Sequence, residues 1–291
     1  MNETDNHHSS NKLKVSLVLN TAFTIFEFVV GILSGSLALI SDAGHNLTDT
    51  LSIVISLFGN KVAQREANEE HSYGYGRSSI LTALLNAFIL IVLALYIFYE
   101  AAHRIFSHPK IVEGQTIMIV AAIGIVVNGT IVYVLSKNKK DLNIKSTYMN
   151  MLLDAVALVG TLIAGFLITI THQSIIDPLT SILIGVLLLH GAYGVAREAV
   201  HVLLEGTPEG LDIEKIKDLI KQSSKVKGVD DMHVWAISSH YAALSCHIVI
   251  EDCDIEESVK ITKQIKQELK EKFDIEHATI EAELTECPPD K

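Results

Sequence analysis

The sequence predicts a polytopic α-helical membrane protein with six transmembrane helices and a separate small α+β domain at its C-terminal end. Three observations lead there. Of the 291 residues, 49% are hydrophobic and the mean hydropathy is +0.34, a level ordinary for a chain partly embedded in a bilayer and high for a soluble one. Charge is divided unevenly: residues 1–204 hold 14 acids and 12 bases, whereas 205–291 hold 20 and 11, so most of the net charge of −11 lies in the last third. Finally, six windows carry the roughly 20 apolar residues that a helix needs to cross a hydrocarbon core, at 13–34, 37–60, 79–102, 115–136, 148–171 and 178–204.

Three segments follow: a tail over 1–12, a six-helix membrane domain over 13–204 and a soluble domain over 205–291. The opening "MNETDNHHSSNKLK" is too polar for a signal peptide, so insertion is expected to use the internal spans. Orientation follows from the basic flanks. Lys12 and Lys14 precede the first span, Lys61, Arg65 and Arg77 lie between the second and third, and Lys137, Lys139, Lys140 and Lys145 lie between the fourth and fifth. The opposite turns hold only Arg104 and Lys110. Both termini are therefore expected in the cytoplasm of a multi-pass cell-membrane protein. Cys246, Cys253 and Cys287 form no CxxC pair and no disulfide framework, which suits a reducing compartment.

In the last third the periodicity changes. "LDIEKIKDLIKQSS" and "DIEESVKITKQIKQELKEKF" read as amphipathic helices, while "VDDMHVWAI", "YAALSCHIVIED" and "HATIEAEL" alternate as strands. The order is helix, strand, strand, helix, strand, with both helices expected on one sheet face. Alternation assigns Met232, Val234, Leu244, Cys246, Ile248, Ile250, Ile280, Ala282 and Leu284 to the covered face. Asp231, His233, Trp235, His247, His277, Glu281 and Glu283 fall on the other. A solvated sheet face explains polar residues without a metal; three histidines with carboxylates on one face point toward a metal role.

The sharpest chemistry lies in "SDAGHNLTD", residues 41–49, within the second span. An ionisable side chain at bilayer depth costs about 3 kcal/mol or more on insertion scales, so it is a functional candidate by default. Asp42, His45, Asp49, Ser52 and Ser56 recur at helical steps along one face, and Asn150 and Asp154 are four apart on the fifth span. Two such pairs on facing helices supply four donors, the number tetrahedral zinc favours: His45, Asp49, Asn150 and Asp154. Asn20, Asn128 and the span serines read as interhelical glue. Glu27 has no partner in sequence and is left as a structural or proton-relay candidate, and Asp42 as a vestibule or helix-start residue. Neither HExxH nor GxSxG occurs, so no enzyme is expected.

These motifs resemble the cation diffusion facilitator family, in its bacterial zinc, cobalt and cadmium efflux branch, along nearly the whole chain. "GSLALISDAGHNLTD" resembles the family's entry to span two, "HSYGYGRSSILTALLNA" its span-three start, "DPLTSILIG" and "HVLLEGTP" its span six and exit, and "MHVWAI" with "HATIEAEL" its cytoplasmic strands. The resemblance implies a homodimeric antiporter that exports a divalent cation, Zn²⁺ first, against protons by alternating access. It implies transport ligands at His45, Asp49, Asn150 and Asp154. It also implies a ferredoxin-like cytoplasmic domain that dimerises and binds regulatory metal through His233, His247, His277 and Glu283. Partners are then divalent metal ions, protons, the bilayer and a second copy, with no nucleic acid and no permanently bound cofactor. Cd²⁺, Co²⁺, Fe²⁺ or Mn²⁺ as main substrate, or a membrane-anchored sensor without flux, stand as alternatives.

Three departures from the family pattern matter. Asn150 stands where family zinc transporters usually have His or Asp, which tilts preference toward Mn²⁺, Fe²⁺ or Cd²⁺ or leaves water as the fourth ligand. In the loop between spans two and three His71 is retained, but Tyr75 occupies the position of a second histidine, so a weak or absent loop site is expected. The histidine-rich insert of some members is missing between spans four and five, and His7 and His8 are a faint counterpart to a metal-loading tail.

Overall fold

In the computed structural model the backbone is described for residues 3–107, 111–136, 142–238 and 241–284, with the side chains of 1–14, 142–147 and 150 outside the described set. Six long helices come first: α1 Glu3–Ser34, α2 Leu37–Ala63, α3 Arg77–Phe106, α4 Gly114–Ser136, α5 Leu142–Thr171 and α6 Ile176–Leu203. Then follow α7 Ile213–Lys221, β1 Val226–Ser238, β2 Tyr241–Ile250, α8 Ile255–Phe273 and β3 Ile275–Glu283. The chain divides into two compact units, one of Met1–Ile55 with Asn86–Gly194, the other of Ser56–Leu85 with Val195–Lys291.

The helices of the first unit are inside-out by the standards of a water-soluble protein. Ser16, Asn20, Thr24, Glu27, Asp42, Asn46, Asn128, Asp154 and Thr161 are buried, while Val18, Ile25, Ile32, Leu51, Phe88, Val126, Leu153, Val156 and Leu183 are exposed. That distribution suits a lipid surround, where apolar side chains lose nothing by facing outward and polar ones must find each other. Among the described residues, five helical stretches are long and apolar enough to cross a membrane: Val15–Ser34, Arg77–Phe106, Gly114–Ser136, Met151–Thr171 and Ile176–Leu203. α2, 27 residues long, falls short of that hydropathy because Asp42, His45, Asn46 and Asp49 sit in its first half.

Close helix approach depends on absent side chains. At Gly124 of α4 an added Cβ would collide with the Phe23 ring of α1 and Leu158 of α5. At Gly165 of α5 it would meet the Gly114 carbonyl of α4 at 2.9 Å. Phe23, Leu39, Ile117, Val120, Ala121, Leu158 and Ile168 fill the space between α1, α2, α4 and α5. Ala94 and Ile97 of α3 pack with Ile184 and Leu188 of α6.

The turn from α1 to α2 uses Gly35 at φ 69°, a left-handed conformation that suits glycine. The exposed amides of α2 are then capped from another helix. Asp177 of α6 accepts from Leu37 N at 2.7 Å, Ala38 N at 3.2 Å and the Ser36 hydroxyl at 2.5 Å. Arg104 Nη1 lies 3.6 Å from Asp177 Oδ2, and Arg104 Nε donates to Glu100 at 2.8 Å. A carboxylate at a helix N-terminus satisfies donors that have no intrahelical acceptor, and the arginine balances its charge in a buried setting.

In the second unit β1, β2 and β3 form a mixed sheet in that order, β1 antiparallel to β2 and β2 parallel to β3 through the α8 crossover. This is the helix, strand, strand, helix, strand order read from periodicity, with three strands as the sheet. Asp212 and Asp254 cap α7 and α8 by accepting from amides of their first turns. Ile216, Leu219 and Ile220 of α7 and Ile261, Ile265 and Leu269 of α8 cover Val234, Leu244, Cys246, Ile248 and Ile250. The expected apolar face is thus in place except at Leu284, which lies beyond the end of β3 and is exposed.

Candidate functional site

In the first unit the candidate ligands arise from two helices. His45 and Asp49 lie one turn apart on α2, Nδ1 3.8 Å from Oδ1, and both are partly exposed. Asp154 of α5 is 7% exposed and interacts electrostatically with His45, Asp42 and Asp49. Asn150 lies one turn earlier on α5; its side chain falls outside the described residues. His45 Nδ1 and Asp154 Oδ2 are buried without a hydrogen-bond partner, which is costly unless something else is bound there. Among the described side chains of this unit Arg104 is the only Lys or Arg, and Asp177 and Glu100 engage it. No described Lys or Arg side chain there is free to neutralise the carboxylates.

The rest of the α2 face is divided. Asp42 is 2% exposed, with Oδ2 lacking a partner, and faces Glu27 of α1. The Ser52 hydroxyl donates to the Thr48 carbonyl at 2.6 Å and also meets the Asn86 amide oxygen of α3. Asn128 departs from the glue reading: it is fully buried on α4, and neither of its amide atoms has a hydrogen-bond partner.

In the second unit the sheet register decides which polar residues meet. His247 stands opposite Asp230 on β1 and Glu281 on β3. Its Nδ1–H donates to Glu283 Oε1 at 2.9 Å, leaving Nε2 at 3.9 Å from Asp231 Oδ2 and 3.8 Å from Glu281 Oε2. Asp231 reaches this position because β1 has a bulge there: between the pairs Asp230–His247 and His233–Ser245, Asp231 and Met232 on β1 oppose the single Cys246 on β2, and Asp231 adopts φ 44°. The same carboxylate accepts from His233 Nε2 at 2.7 Å. Asp230 Oδ2 is buried without a partner.

His277 does not join this group. It pairs with Ala243, four residues from His247 along β2, a separation of about 13 Å at strand rise. Its ring instead meets Tyr73 edge to face, with centroids 5.4 Å apart. Parity placed His277 on the correct face, but only the register shows it at the other end. Asp231 and Glu281 take the places beside His247. Parity assigned both to this face, whereas their convergence required the bulge and the β2–β3 pairing.

The loop residue His71 is exposed and stacks on Tyr75 at 4.3 Å, while Asn68 Nδ2 donates to the Tyr75 hydroxyl at 3.0 Å. Tyr75 therefore acts as a ring partner and hydrogen-bond acceptor at the position where a second imidazole was sought. His71, Tyr73, Arg77, Glu205, His233 and Trp235 line one cavity of about 840 Å³. Among the described residues no three His, Cys, Asp or Glu side chains are gathered tightly enough to hold one metal ion.

The chain's likeness to known proteins agrees with this arrangement. The cation efflux transmembrane domain matches residues 13–204, and the cytoplasmic domain of cation efflux proteins matches residues 208–284. The chain is 38% identical over 285 residues to the cadmium, cobalt and zinc/H⁺-K⁺ antiporter of Bacillus subtilis, covering 96% of this chain and 91% of that one. It is 36% identical over 280 residues to the metal cation efflux system protein CzcD of Cupriavidus metallidurans, covering 96% and 88%. With the zinc transporter ZitB of Escherichia coli it shares 33% identity over 284 residues, covering 96% and 89%. A solved metal-bound C-terminal domain of the CzcD transporter is 35% identical and covers 25% of this chain and all of that one, at a TM-score of 0.24. By the two family models, the curated relatives and the long apolar helices above, the chain belongs to the cation efflux family and is a multi-pass membrane transporter of metal cations.

Proposed function

We propose that the protein exports a divalent transition-metal cation, Zn²⁺ first among them, from the cytoplasm in exchange for protons. Residues 13–204 form the membrane domain with six spanning helices, α2 included, and the domain from 205 lies in the cytoplasm with the N-terminus. The observation that carries the reading is the electrostatic meeting of Asp154 on α5 with His45 and Asp49 on α2, inside an apolar bundle with no free cationic partner described. One imidazole and two carboxylates make a borderline ligand set, to which Asn150 adds a neutral oxygen.

Exchange follows from ligand chemistry. A divalent ion needs neutral imidazole and ionised carboxylates, so its binding displaces protons and reprotonation releases it. Which cation enters depends on the fourth donor; an amide oxygen at Asn150 widens the choice toward Cd²⁺, Fe²⁺ or Mn²⁺. Cadmium and zinc, which the names of the relatives above include, accord with that range.

The cytoplasmic unit adds regulation and dimerisation. His247, oriented by Glu283, offers Nε2 beside Asp231 and Glu281, the pattern of a metal-binding imidazole held by a carboxylate on its other nitrogen. Metal bound there removes part of the excess negative charge and draws two copies together, biasing the transport equilibrium.

The test is flux in proteoliposomes. Asp154→Ala and Asp49→Ala are each expected to abolish metal uptake driven by a pH gradient while the protein still elutes as a folded oligomer. Full activity in Asp154→Ala would overturn the site.

A further inference from the structure

The transport ligands do not account for the most deeply buried acids of the membrane unit. Glu27 of α1 is fully buried, and neither of its carboxyl oxygens has a hydrogen-bond partner. Asp42 of α2 is 2% exposed and its Oδ2 is likewise unpartnered. α1 and α2 approach closely one turn from these residues, where a Cβ on Gly31 would meet Ile40 and Leu39 at 3.1 Å, and the two carboxyls act on each other electrostatically. Two carboxylates are both acceptors and cannot bond, whereas a carboxyl and a carboxylate can, through a single proton between them.

The surroundings favour a proton over a metal. The pair has no imidazole or thiolate of its own, the donors that zinc-like ions prefer. Other buried polar groups lead to it. On α1 Ser16, Asn20 and Thr24 precede Glu27 at steps of four, four and three, all on one buried stripe. Asn46 is one turn from Asp42 on α2 and 1% exposed. Asn20 Oδ1 and Asn46 Nδ2 have no hydrogen-bond partner, so atoms able to relay a proton through water line both helices beside the pair.

Among the described side chains, the charged groups acting on the pair are acidic apart from one histidine. Asp154 of α5 acts electrostatically on Glu27, and His45 and Asp49 follow Asp42 on α2. α4, packed on α1 at Phe23 and Gly124, carries no acid, Lys, Arg or His, and its Tyr133 is exposed. Asp177 and Arg104, near the start of α2, are committed to each other.

We propose that Glu27 and Asp42 form a proton-carrying station distinct from the metal ligands. It holds one shared proton while the metal site is empty and gives it up when a divalent cation reaches His45, Asp49 and Asp154. In the exchange the O–H bond breaks, its electrons stay on the carboxylate, and the proton leaves to water on the side to which the bundle is open. The metal's two positive charges compensate the second carboxylate through the coupling with Asp154. This rests on the antiport reading above and specifies where one of its protons rides.

The test separates coupling from metal passage in full-length protein reconstituted in liposomes. Isotopic zinc-for-zinc exchange at equal pH needs no net proton movement, whereas zinc uptake driven by a pH gradient does, with a lumenal pH dye reading the protons. Glu27→Gln and Asp42→Asn are expected to keep zinc exchange and lose both the response to the pH gradient and the proton signal. Retained coupling in both variants overturns the proposal. So does loss of zinc exchange in both, which places the pair in the metal path or the fold. If the variants instead lose a response to a potassium gradient at equal pH, the occupant is K⁺ and the proton assignment falls. Wild-type protein that moves no zinc under any gradient would overturn the antiport reading itself, a different result from uncoupled variants of an active transporter.

Discussion

His247 on β2 donates its Nδ1–H to Glu283 on β3 at 2.9 Å, and that one bond turns Nε2 toward Asp231 and Glu281. That bond leaves Glu283 placed to orient the imidazole, whereas the family resemblance implies direct ligation by it.

A metal titration can separate the two roles. In full-length protein with the membrane site removed by Asp49→Ala and Asp154→Ala, Glu283→Gln is expected to weaken Co²⁺ binding by about 10- to 100-fold, the usual effect of losing an orienting carboxylate. His277→Ala is expected to leave that binding unchanged, because His277 sits on Tyr73 at the other end of the sheet face. Calorimetry or the Co²⁺ visible spectrum reads both; an equal loss in the two variants would return His277 to the ligand set.

Cation choice should depend on Asn150. Replacing a neutral amide oxygen by imidazole in Asn150→His favours Zn²⁺ and Co²⁺ relative to Mn²⁺. Uptake of Zn²⁺, Cd²⁺, Co²⁺, Fe²⁺ and Mn²⁺ by wild type and variant, measured side by side, should show that shift. Identical profiles would remove Asn150 from selectivity.

Asp177 is expected to be a stability residue of the membrane unit. Asp177→Ala uncaps Leu37 and Ala38 and leaves Arg104 with Glu100 as its remaining described carboxylate partner. Breaking a buried ion pair from one side costs about 3–5 kcal/mol. A lowered thermal midpoint in detergent would register it, with Asp177→Asn in between because the amide oxygen still accepts. Unchanged midpoints would show that α2 needs no cap.

The Cys246 thiol, buried among α8 and the sheet, is pushed up to about 12 by burial, against a small opposing effect of Lys266. Ionisation therefore favours the unfolded chain above pH 9, the thiol's ordinary value here, and the stabilisation is lost progressively as pH rises toward about 12. Alkylation of the native protein at pH 8 should modify the partly exposed Cys253 well before Cys246. Mass spectrometry of the labelled peptides checks this, and equal labelling would contradict the burial.

By itself the sequence determined what depends on local order. Long apolar runs dictate α1 and α3 to α6 because bilayer depth and helix rise leave few alternatives, and alternating strands dictate which sheet face α7 and α8 cover. Steps of three and four also place His45 near Asp49, since a helix turn is local. What the tertiary structure alone decided are meetings between distant segments. A bulge at Asp231 and a parallel pairing of β2 with β3 bring Asp231 and Glu281 to His247 and carry His277 away. Helix packing sets Asp177 on the first turn of α2 and Glu27 against Asp42, neither of which has a signal in spacing. The reason is physical: periodicity fixes the side a residue faces, whereas register and helix depth fix what waits for it there.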